Sequence, residues 1–230
     1  MSWFRDLTSS AVGKKAVMAV SGIVLFGYVL LHMLGNLKLY EGPQKLDDYA
    51  GFLREAGSPL VPPEGLLWVV RAVLLVAVVL HVWSAWALTR MSYAARPVGY
   101  EKRDAVVMSY ASRTMRWGGV ILLLFIVYHL LHLTTGTLHP RFMPGAVYHN
   151  VVTGLRVWWV ALFYAAAQVA LGLHLYHGLW SMFQTMGWNH PRYNRWRRWF
   201  AAAFAWLITL GNLSFPLAVW SGLITLQSGP

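Results

Sequence analysis

The chain has 230 residues, of which 57% are hydrophobic and only 12% are charged. A soluble domain carries about twice that share of charged residues, so the composition excludes an ordinary soluble enzyme and indicates a protein embedded in a bilayer. The formal net charge of +11 does not indicate nucleic-acid binding, because the Lys and Arg residues lie mainly in short segments between apolar stretches, not in one basic stripe.

Five apolar stretches are long enough to cross a bilayer, which takes about 20 helical residues. They lie at residues 16–37, 66–89, 117–138, 157–186 and 199–226. We therefore predict an all-α integral membrane protein of five transmembrane helices, with residues 1–230 forming one transmembrane domain. Five crossings put the two termini on opposite sides of the membrane.

The basic residues predict which side is cytoplasmic. The N-terminal segment and the second and fourth loops hold Arg5, Lys14, Lys15, Arg90, Arg96, Lys102, Arg103, Arg113, Arg116, Arg192, Arg195, Arg197 and Arg198. The first and third loops hold five of the eight carboxylates. The N-terminus is thus predicted to be cytoplasmic and the C-terminus outside.

The first outer loop contains a helical pattern of its own. Leu46, Tyr49, Ala50 and Leu53 repeat at helical spacing between Gly and Pro breakers. This pattern predicts a short interfacial helix between the first two spans.

The chain repeats part of itself. The segment MAVSGIVLFGYVLLHMLG from Met18 is similar to MRWGGVILLLFIVYHLLH from Met115, with Met, Gly and His in register at an offset of 97. A weaker similarity relates HVWSAW from His81 to HLYHGLW from His174. The first four helices are therefore predicted to form a bundle of two related hairpins, with the fifth helix outside the repeat.

Six of the nine histidines lie within the predicted spans: His32, His81, His129, His132, His174 and His177. A single buried histidine is readily explained by a hydrogen bond to a neighbouring carbonyl, but four on four successive helices indicate a shared function. His32 and His129 lie ~24 and ~18 Å from the inner ends of their helices, in the outer half. His81 and His174 lie ~22 and ~26 Å from the outer ends, in the inner half.

Each of these two layers offers two neutral imidazoles, which a six-coordinate haem iron needs in addition to the porphyrin nitrogens. We predict one haem b between His32 and His129 and a second between His81 and His174. Gly22 and Gly119 each lie ten residues before an outer-layer histidine, ~15 Å down the helix at the level of the inner layer. A flat macrocycle needs such a close approach, although small residues also pack helix on helix.

These segments resemble the single-chain, five-helix, dihaem cytochrome b subunit of succinate:menaquinone oxidoreductases and the related fumarate reductases. The resemblance is carried by LLHMLGN, VVLHVWSA, RWGG followed by IVYHLLH, and HLYHGLWSMFQTMG, in helices one to four. Its register makes His174 and His129 the axial ligands, with His177 and His132 as neighbouring alternatives. The absence of cysteine excludes a thiolate iron-sulfur site in this chain.

The resemblance implies a division of labour within a complex. A flavoprotein oxidises succinate, an iron-sulfur protein passes the electrons to this anchor, and two haems b relay them to menaquinone. This chain would lie in the bacterial cytoplasmic membrane, hold no succinate site, and dock the iron-sulfur subunit on its basic loops. A higher oligomer of the whole complex is left open.

Two other functions fit parts of the pattern. A cytochrome b subunit of a formate dehydrogenase or nitrate reductase would share haem and quinone, but the segment GLWSMFQTMG argues against it. A histidine-lined transporter or metal channel would have no redox role, and an absorption spectrum would distinguish it from both cytochromes.

Haem propionates need cationic or hydrogen-bonding partners. Arg71 lies ten residues before His81 and well inside a span, so it is the candidate partner of the outer haem, unless it reaches outward to the interface. The candidates for the inner haem are His177, Arg90, Arg113 and Arg116.

Quinone reduction consumes two protons, so it needs a protonatable residue near a haem edge. In the resembling family an outer carboxylate after the first helix has this role, and Glu55 stands at a similar place here. The rival carboxylates are Asp47, Asp48 and Glu64.

Overall fold

The structure, a computed structural model, describes residues 7–95 and 108–226, with the side chains of residues 108–114 left out. Every regular element within these ranges is helical, and five helices are long and apolar enough to cross a membrane, which confirms the predicted fold class. Several basic residues used to predict the topology lie outside the described part: Arg5, Arg96, Lys102, Arg103 and the side chain of Arg113.

The helices follow one another in the order that the apolar stretches predict. The elements are α1 (Ala11–Asn36), a 3₁₀ turn (Leu37–Glu41), α2 (Pro43–Glu55), α3 (Gly65–Ala94), α4 (Met108–His129), a π turn (Leu130–Thr134), α5 (Val147–Leu155), α6 (Trp158–Thr185) and α7 (Pro191–Trp220). The membrane-spanning segments are Ala11–Glu41, Gly65–Ala94, Met115–Thr134, Trp158–Thr185 and Pro191–Trp220.

The third and fifth spans have other bounds than predicted. The third span ends at Thr134, not at residue 138, because its last turn widens to a π turn closed by a Thr135 N to Leu130 O bond of 2.9 Å, and Gly136 then turns with φ of +75°. The fifth span runs from Pro191 to Trp220, not from 199 to 226. Pro191 occupies the first helical turn, where its missing N–H costs nothing, so the following Arg-rich segment is helical and not a loop.

A cap covers one end of the bundle, and we define it as the 3₁₀ turn, α2 and α5. Helix α2 confirms the short helix predicted in the first connection, and its Leu46 is buried. Helix α5 was not predicted. Asp47 joins the two cap helices, because its Oδ1 accepts a 2.9 Å hydrogen bond from the backbone N–H of Tyr148 near the start of α5. The opposite end, which we call the basic end, carries Lys14, Lys15, Arg90, Arg192, Arg195 and Arg198.

The spanning helices pack as two hairpins, α1 with α3 and α4 with α6. Helix α7 lies along α6 and also contacts α1. The tightly packed core, which includes Val152, Ala201 and Ile208, lies between α6, α7 and the cap. Contact between α3 and α4 is weak at most in the described part of the chain. The two hairpins contact each other through α1 and α6, and space is left between α3 and α4.

Candidate cofactor site between the two hairpins

Four histidines meet in two ring pairs across the space between the hairpins. The rings of His32 on α1 and His129 on α4 have their centres 5.9 Å apart at an interplanar angle of 87°. The rings of His81 on α3 and His174 on α6 have their centres 6.2 Å apart at 63°. These are the pairs that helix depth assigns to common layers. The first pair lies toward the cap end and the second toward the basic end.

An apolar cleft lies where α3 faces α4, and none of the four paired histidines lines it. This cleft of about 380 Å³ is lined by Val78, Val79, Val82, Trp83 and Trp86 of α3 and by Leu123 of α4. All four paired histidines are partly accessible, although they lie well inside membrane-spanning helices. The four rings are therefore not enclosed by the rest of the described chain.

Two glycines face the pair at the basic end. A Cβ on Gly22 of α1 would lie 3.5 Å from Cε1 of His81, and a Cβ on Gly119 of α4 would lie 3.8 Å from Cε1 of His174. Each helix thus presents bare backbone to an imidazole of the other layer. A larger side chain at either position would fill the space beside that imidazole.

The backbone orients the ring of His81. Its Nδ1 lies 3.2 Å from the carbonyl oxygen of Met18 and 3.3 Å from Oγ of Ser21. The Ser21 hydroxyl donates to the carbonyl of Val17 at 2.8 Å. The Met18 carbonyl can only accept, so the His81 Nδ1 keeps its proton and donates it there, which leaves Nε2 as the nitrogen with a free lone pair.

The repeat extends to these contacts. Met115, the equivalent of Met18, lies with its backbone beside the ring of His174. Nδ1 of His174 has no hydrogen-bond partner of good geometry among the described residues. The same backbone position therefore accompanies both rings of the basic-end pair.

A side chain orients His129 in the cap-end pair. Nδ1 of His129 lies 3.3 Å from the hydroxyl of Tyr164 on α6. On the other side of the pair, the ring of His32 stacks on Tyr28 at 5.4 Å and 17°. The residue types around the two pairs thus differ, although their ring separations are similar.

His132 lies in a closed environment. It is 1% exposed, and its ring stacks on Tyr128 at 5.3 Å and on His139 at 4.8 Å. A Cβ on Gly154 would lie 2.6 Å from Cε1 of His132, so α5 closes the third side of the ring. No space remains here for a planar cofactor. His177 is partly exposed and contacts Tyr176 at 5.1 Å between ring centres.

The four paired histidines fit a bis-histidine haem. A metal lies about 2 Å from a bound imidazole nitrogen, so two rings on opposite sides of one metal have their centres about 6 Å apart. Both ring pairs have this separation. Gly22 and Gly119 leave bare backbone beside the basic-end pair, where a flat porphyrin needs a close approach.

Three of the arginines predicted as propionate partners contact aromatic side chains. Arg71 stacks over Trp68 at 4.7 Å. No carboxylate lies within ion-pair distance of Arg71 in the described ranges. At the basic end, Arg90 stacks over Trp86 at 5.0 Å, and Nη1 of Arg116 donates to the Tyr93 hydroxyl at 2.6 Å.

Arg197 is a buried cation that the sequence reading missed. It is 7% exposed, and its guanidinium lies over Trp180 at 5.0 Å. Nη2 donates to Oδ1 of Asn189 at 2.9 Å, whereas Nε and Nη1 have no partner in the described part. The run of arginines suggested a solvated loop. The spacing from Arg197 to Ala201, Phe204 and Ile208, all buried, is the helical signal that could have found it.

The four candidate carboxylates all belong to the cap or its connection to α3. Asp47 is held by the Tyr148 backbone, and Glu64 forms an ion pair with Arg54 at 3.8 Å. Glu55 and Asp48 are exposed, and neither side chain forms a hydrogen bond or ion pair with another described residue. Their carboxylates are thus open to solvent at the end that holds His32 and His129.

Comparison with known proteins gives one match. The model of the succinate dehydrogenase/fumarate reductase transmembrane subunit family matches residues 100–211, just under half of the chain. The searches of curated proteins and of solved structures gave no match. The matched stretch contains His129 and His174, one member of each ring pair. Over these residues the chain is similar to the transmembrane subunits of succinate dehydrogenase and fumarate reductase.

Proposed function

We propose that the chain is the dihaem cytochrome b anchor of a succinate dehydrogenase, which passes electrons from an iron-sulfur subunit to menaquinone. The observation that carries this proposal is the double histidine crossing: two imidazole pairs, with ring centres 5.9 and 6.2 Å apart, each join the two hairpins. The family match favours this function over a formate dehydrogenase or nitrate reductase anchor.

The protein's contribution is to hold two ligand pairs at two depths and to keep water away. Bound haems would supply one-electron redox centres on either side of the membrane midplane. His32 and His129 would hold one haem, and His81 and His174 the other. The residues that line the cleft between α3 and α4 are apolar, and apolar surroundings are one of the means by which a protein tunes a haem potential.

His132 and His177 are neighbours of the ligands in this proposal. His132 is enclosed on three sides and has no room for a macrocycle. His177 lies one turn beyond His174, toward the basic end, where it could approach a propionate.

Cations at two levels can neutralise propionates. Arg71 is the proposed partner at the cap end, since it lies near the start of α3 and has no carboxylate partner among the described residues. Arg197 joins His177, Arg90 and Arg116 as a candidate at the basic end. A buried guanidinium with two unpartnered nitrogens is costly unless an anion binds it.

The basic end is the proposed docking face for the iron-sulfur subunit. Arg192, Arg195 and Arg198 are exposed there, and under the positive-inside rule this end is cytoplasmic. The flavoprotein would join through the iron-sulfur subunit, in a bacterial cytoplasmic membrane. Menaquinone would be reduced at the cap end, with Glu55 as the proposed proton relay.

Purification of the chain from membranes together with its companions tests the proposal. We expect about two haems b per chain by pyridine haemochrome assay, low-spin bands on dithionite reduction, and a co-purifying flavoprotein and iron-sulfur protein. Absence of haem from the intact protein would exclude a cytochrome and favour a transporter. Haem with a molybdenum-containing partner instead would indicate a formate dehydrogenase or nitrate reductase anchor.

A further inference from the structure

The hydroxyl of Tyr164 lies between two imidazole nitrogens. It is 3.3 Å from Nδ1 of His129 and 3.0 Å from Nδ1 of His132. Tyr164 is 7% exposed, so no bulk water competes for these bonds. We propose that Tyr164 is the positioning residue of His129, and that a one-directional hydrogen-bond chain from His129 through Tyr164 to His132 fixes the tautomer of both histidines. This inference rests on the proposed function, because it assigns His129 an axial role.

The direction of the hydrogen bonds follows from the number of protons available to the three side chains. A neutral imidazole that binds a metal through Nε2 keeps its proton on Nδ1. The Nδ1–H of His129 must then donate to the Tyr164 oxygen. The single hydroxyl proton of Tyr164 is left to donate to Nδ1 of His132, which must be unprotonated there. His132 therefore carries its proton on Nε2.

The packing of His132 fits its place as the last acceptor in this series of hydrogen bonds. Its ring is clamped between Tyr128 and His139, so its Nδ1 has a fixed direction. Its Nε2 has no hydrogen-bond partner in the described part of the chain and points at α5, where a Cβ on Gly154 would lie 2.8 Å away. This nitrogen cannot reach a haem iron. The hydrogen bond to Tyr164 is thus the contact of His132 that can act on the site.

The π turn that begins directly after His129 belongs to this arrangement. Residues Leu130–Thr134 form a wider turn, and the turn presents His132 to the hydroxyl that His129 also contacts. Single π turns are frequent at functional sites. Here the turn brings two histidines three positions apart in sequence onto one oxygen atom.

The other ring pair provides an internal comparison. The Nδ1 of His81 donates to a backbone carbonyl, that of Met18 at 3.2 Å. A carbonyl cannot be removed by substitution, whereas a tyrosine hydroxyl can. Partners that accept the second N–H of a ligating histidine increase its basicity, and their loss typically weakens metal binding 10- to 100-fold. Loss of the Tyr164 hydroxyl must therefore affect the cap-end haem alone.

The test is Tyr164→Phe in the purified complex, which removes one oxygen and keeps the ring packing. We expect the cap-end haem to transfer to apomyoglobin about 10- to 100-fold faster, its low-spin EPR signal to shift, and its midpoint potential to rise, since a less basic ligand disfavours the oxidised iron. If the histidine binds the oxidised iron ten times more weakly and the reduced iron equally well, the midpoint potential rises by about 59 mV. The basic-end haem should keep its signal and potential.

Tyr148→Phe is the matched control. Tyr148 is also buried at the cap end, and its hydroxyl donates to the carbonyl of Thr225 at 3.0 Å, without contact to a paired histidine. This control should leave both haem signals unchanged. Unchanged EPR, potential and transfer rate in Tyr164→Phe would overturn the proposal, and so would equal changes in both haems.

A second variant, His132→Phe, keeps the proposal testable if Tyr164→Phe does not assemble. We expect both bis-histidine signals to remain, with a smaller upward shift of the cap-end potential, because the Tyr164 hydroxyl loses its acceptor. Loss of one bis-histidine signal would make His132 a ligand and overturn the chain of bonds. A wild-type complex without haem would instead refute the proposed function itself.

Discussion

The packing of α5 against His132 leads to a prediction about stability. In Gly154→Ala the new Cβ would lie 2.6 and 2.8 Å from Cε1 and Nε2 of His132, and 3.0 Å from Nε2 of His139. His132 cannot move away, because Tyr128 and His139 hold its two faces. Overpacking of this kind costs about 1–3 kcal/mol. The backbone at Gly154 is helical, so no backbone strain adds to the cost.

The matched control is Gly51→Ala in α2, where a Cβ would meet nothing within 4 Å. Both variants gain up to about 1 kcal/mol of helix propensity, so their difference isolates the packing cost. At about 2–4 °C per kcal/mol for a chain of this size, a ~2 kcal/mol cost places Gly154→Ala about 4–8 °C below Gly51→Ala. Thermal melts of the purified variants, followed by tryptophan fluorescence, measure this difference. Equal melting temperatures would refute the clamped position of His132.

Three further predictions concern the cap and the histidine that adjoins His174. Glu55→Gln should leave haem content and succinate oxidation with a soluble acceptor intact while quinone-linked turnover falls ~100-fold or more; an unchanged quinone rate would reject Glu55 as proton relay. Asp47→Ala should lower the stability by about 0.5–2 kcal/mol, because the N–H of Tyr148 loses its acceptor, whereas Asp48→Ala should be neutral in the same melts. His177→Ala should retain both low-spin haem signals, and loss of one would move the basic-end ligand by one turn.

Helix depth predicted the ring pairs, because depth depends only on residue number and chain direction. His32 and His129 lie toward the cap ends of two parallel helices, and the structure places their rings 5.9 Å apart. The internal repeat also predicted that the helices of these two histidines are equivalent. The equivalence extends to Met18 and Met115, whose backbones lie beside the rings of the basic-end pair. Ligation of haem by these rings stays a prediction.

The contacts made by side chains from distant segments could not be predicted in the same way. Nothing in the sequence around Tyr164 indicates that its hydroxyl lies between two histidines, since this depends on how α6 packs against α4. The π turn after His129 could not be predicted either, because the pattern used to find helices has the 3.6-residue period of an α-helix. Helix α5 is nine residues long and was therefore indistinguishable from a loop.

The start of α7 shows why charge patterns can mislead at a membrane surface. Four arginines between 192 and 198 indicated a solvated loop, yet the segment is helical from Pro191 and buries Arg197. If the segment had been predicted as a helix, Arg197 would have been placed on the same buried face as Ala201 and Phe204. The net charge of the segment predicts the side of the membrane that it faces, but the role of each arginine depends on its helical face.

Haem stoichiometry in double histidine variants tests the central claim most directly. If each ring pair holds one haem, the double variant His32→Ala with His129→Ala should retain one haem per chain, like either single variant, and should keep the signal of the other haem. The cross-pair double variant His32→Ala with His81→Ala should retain none. Pyridine haemochrome assays and EPR on folded, purified protein provide both numbers. A same-pair double variant with no haem, or a cross-pair variant that still binds one, would contradict the proposed pairing.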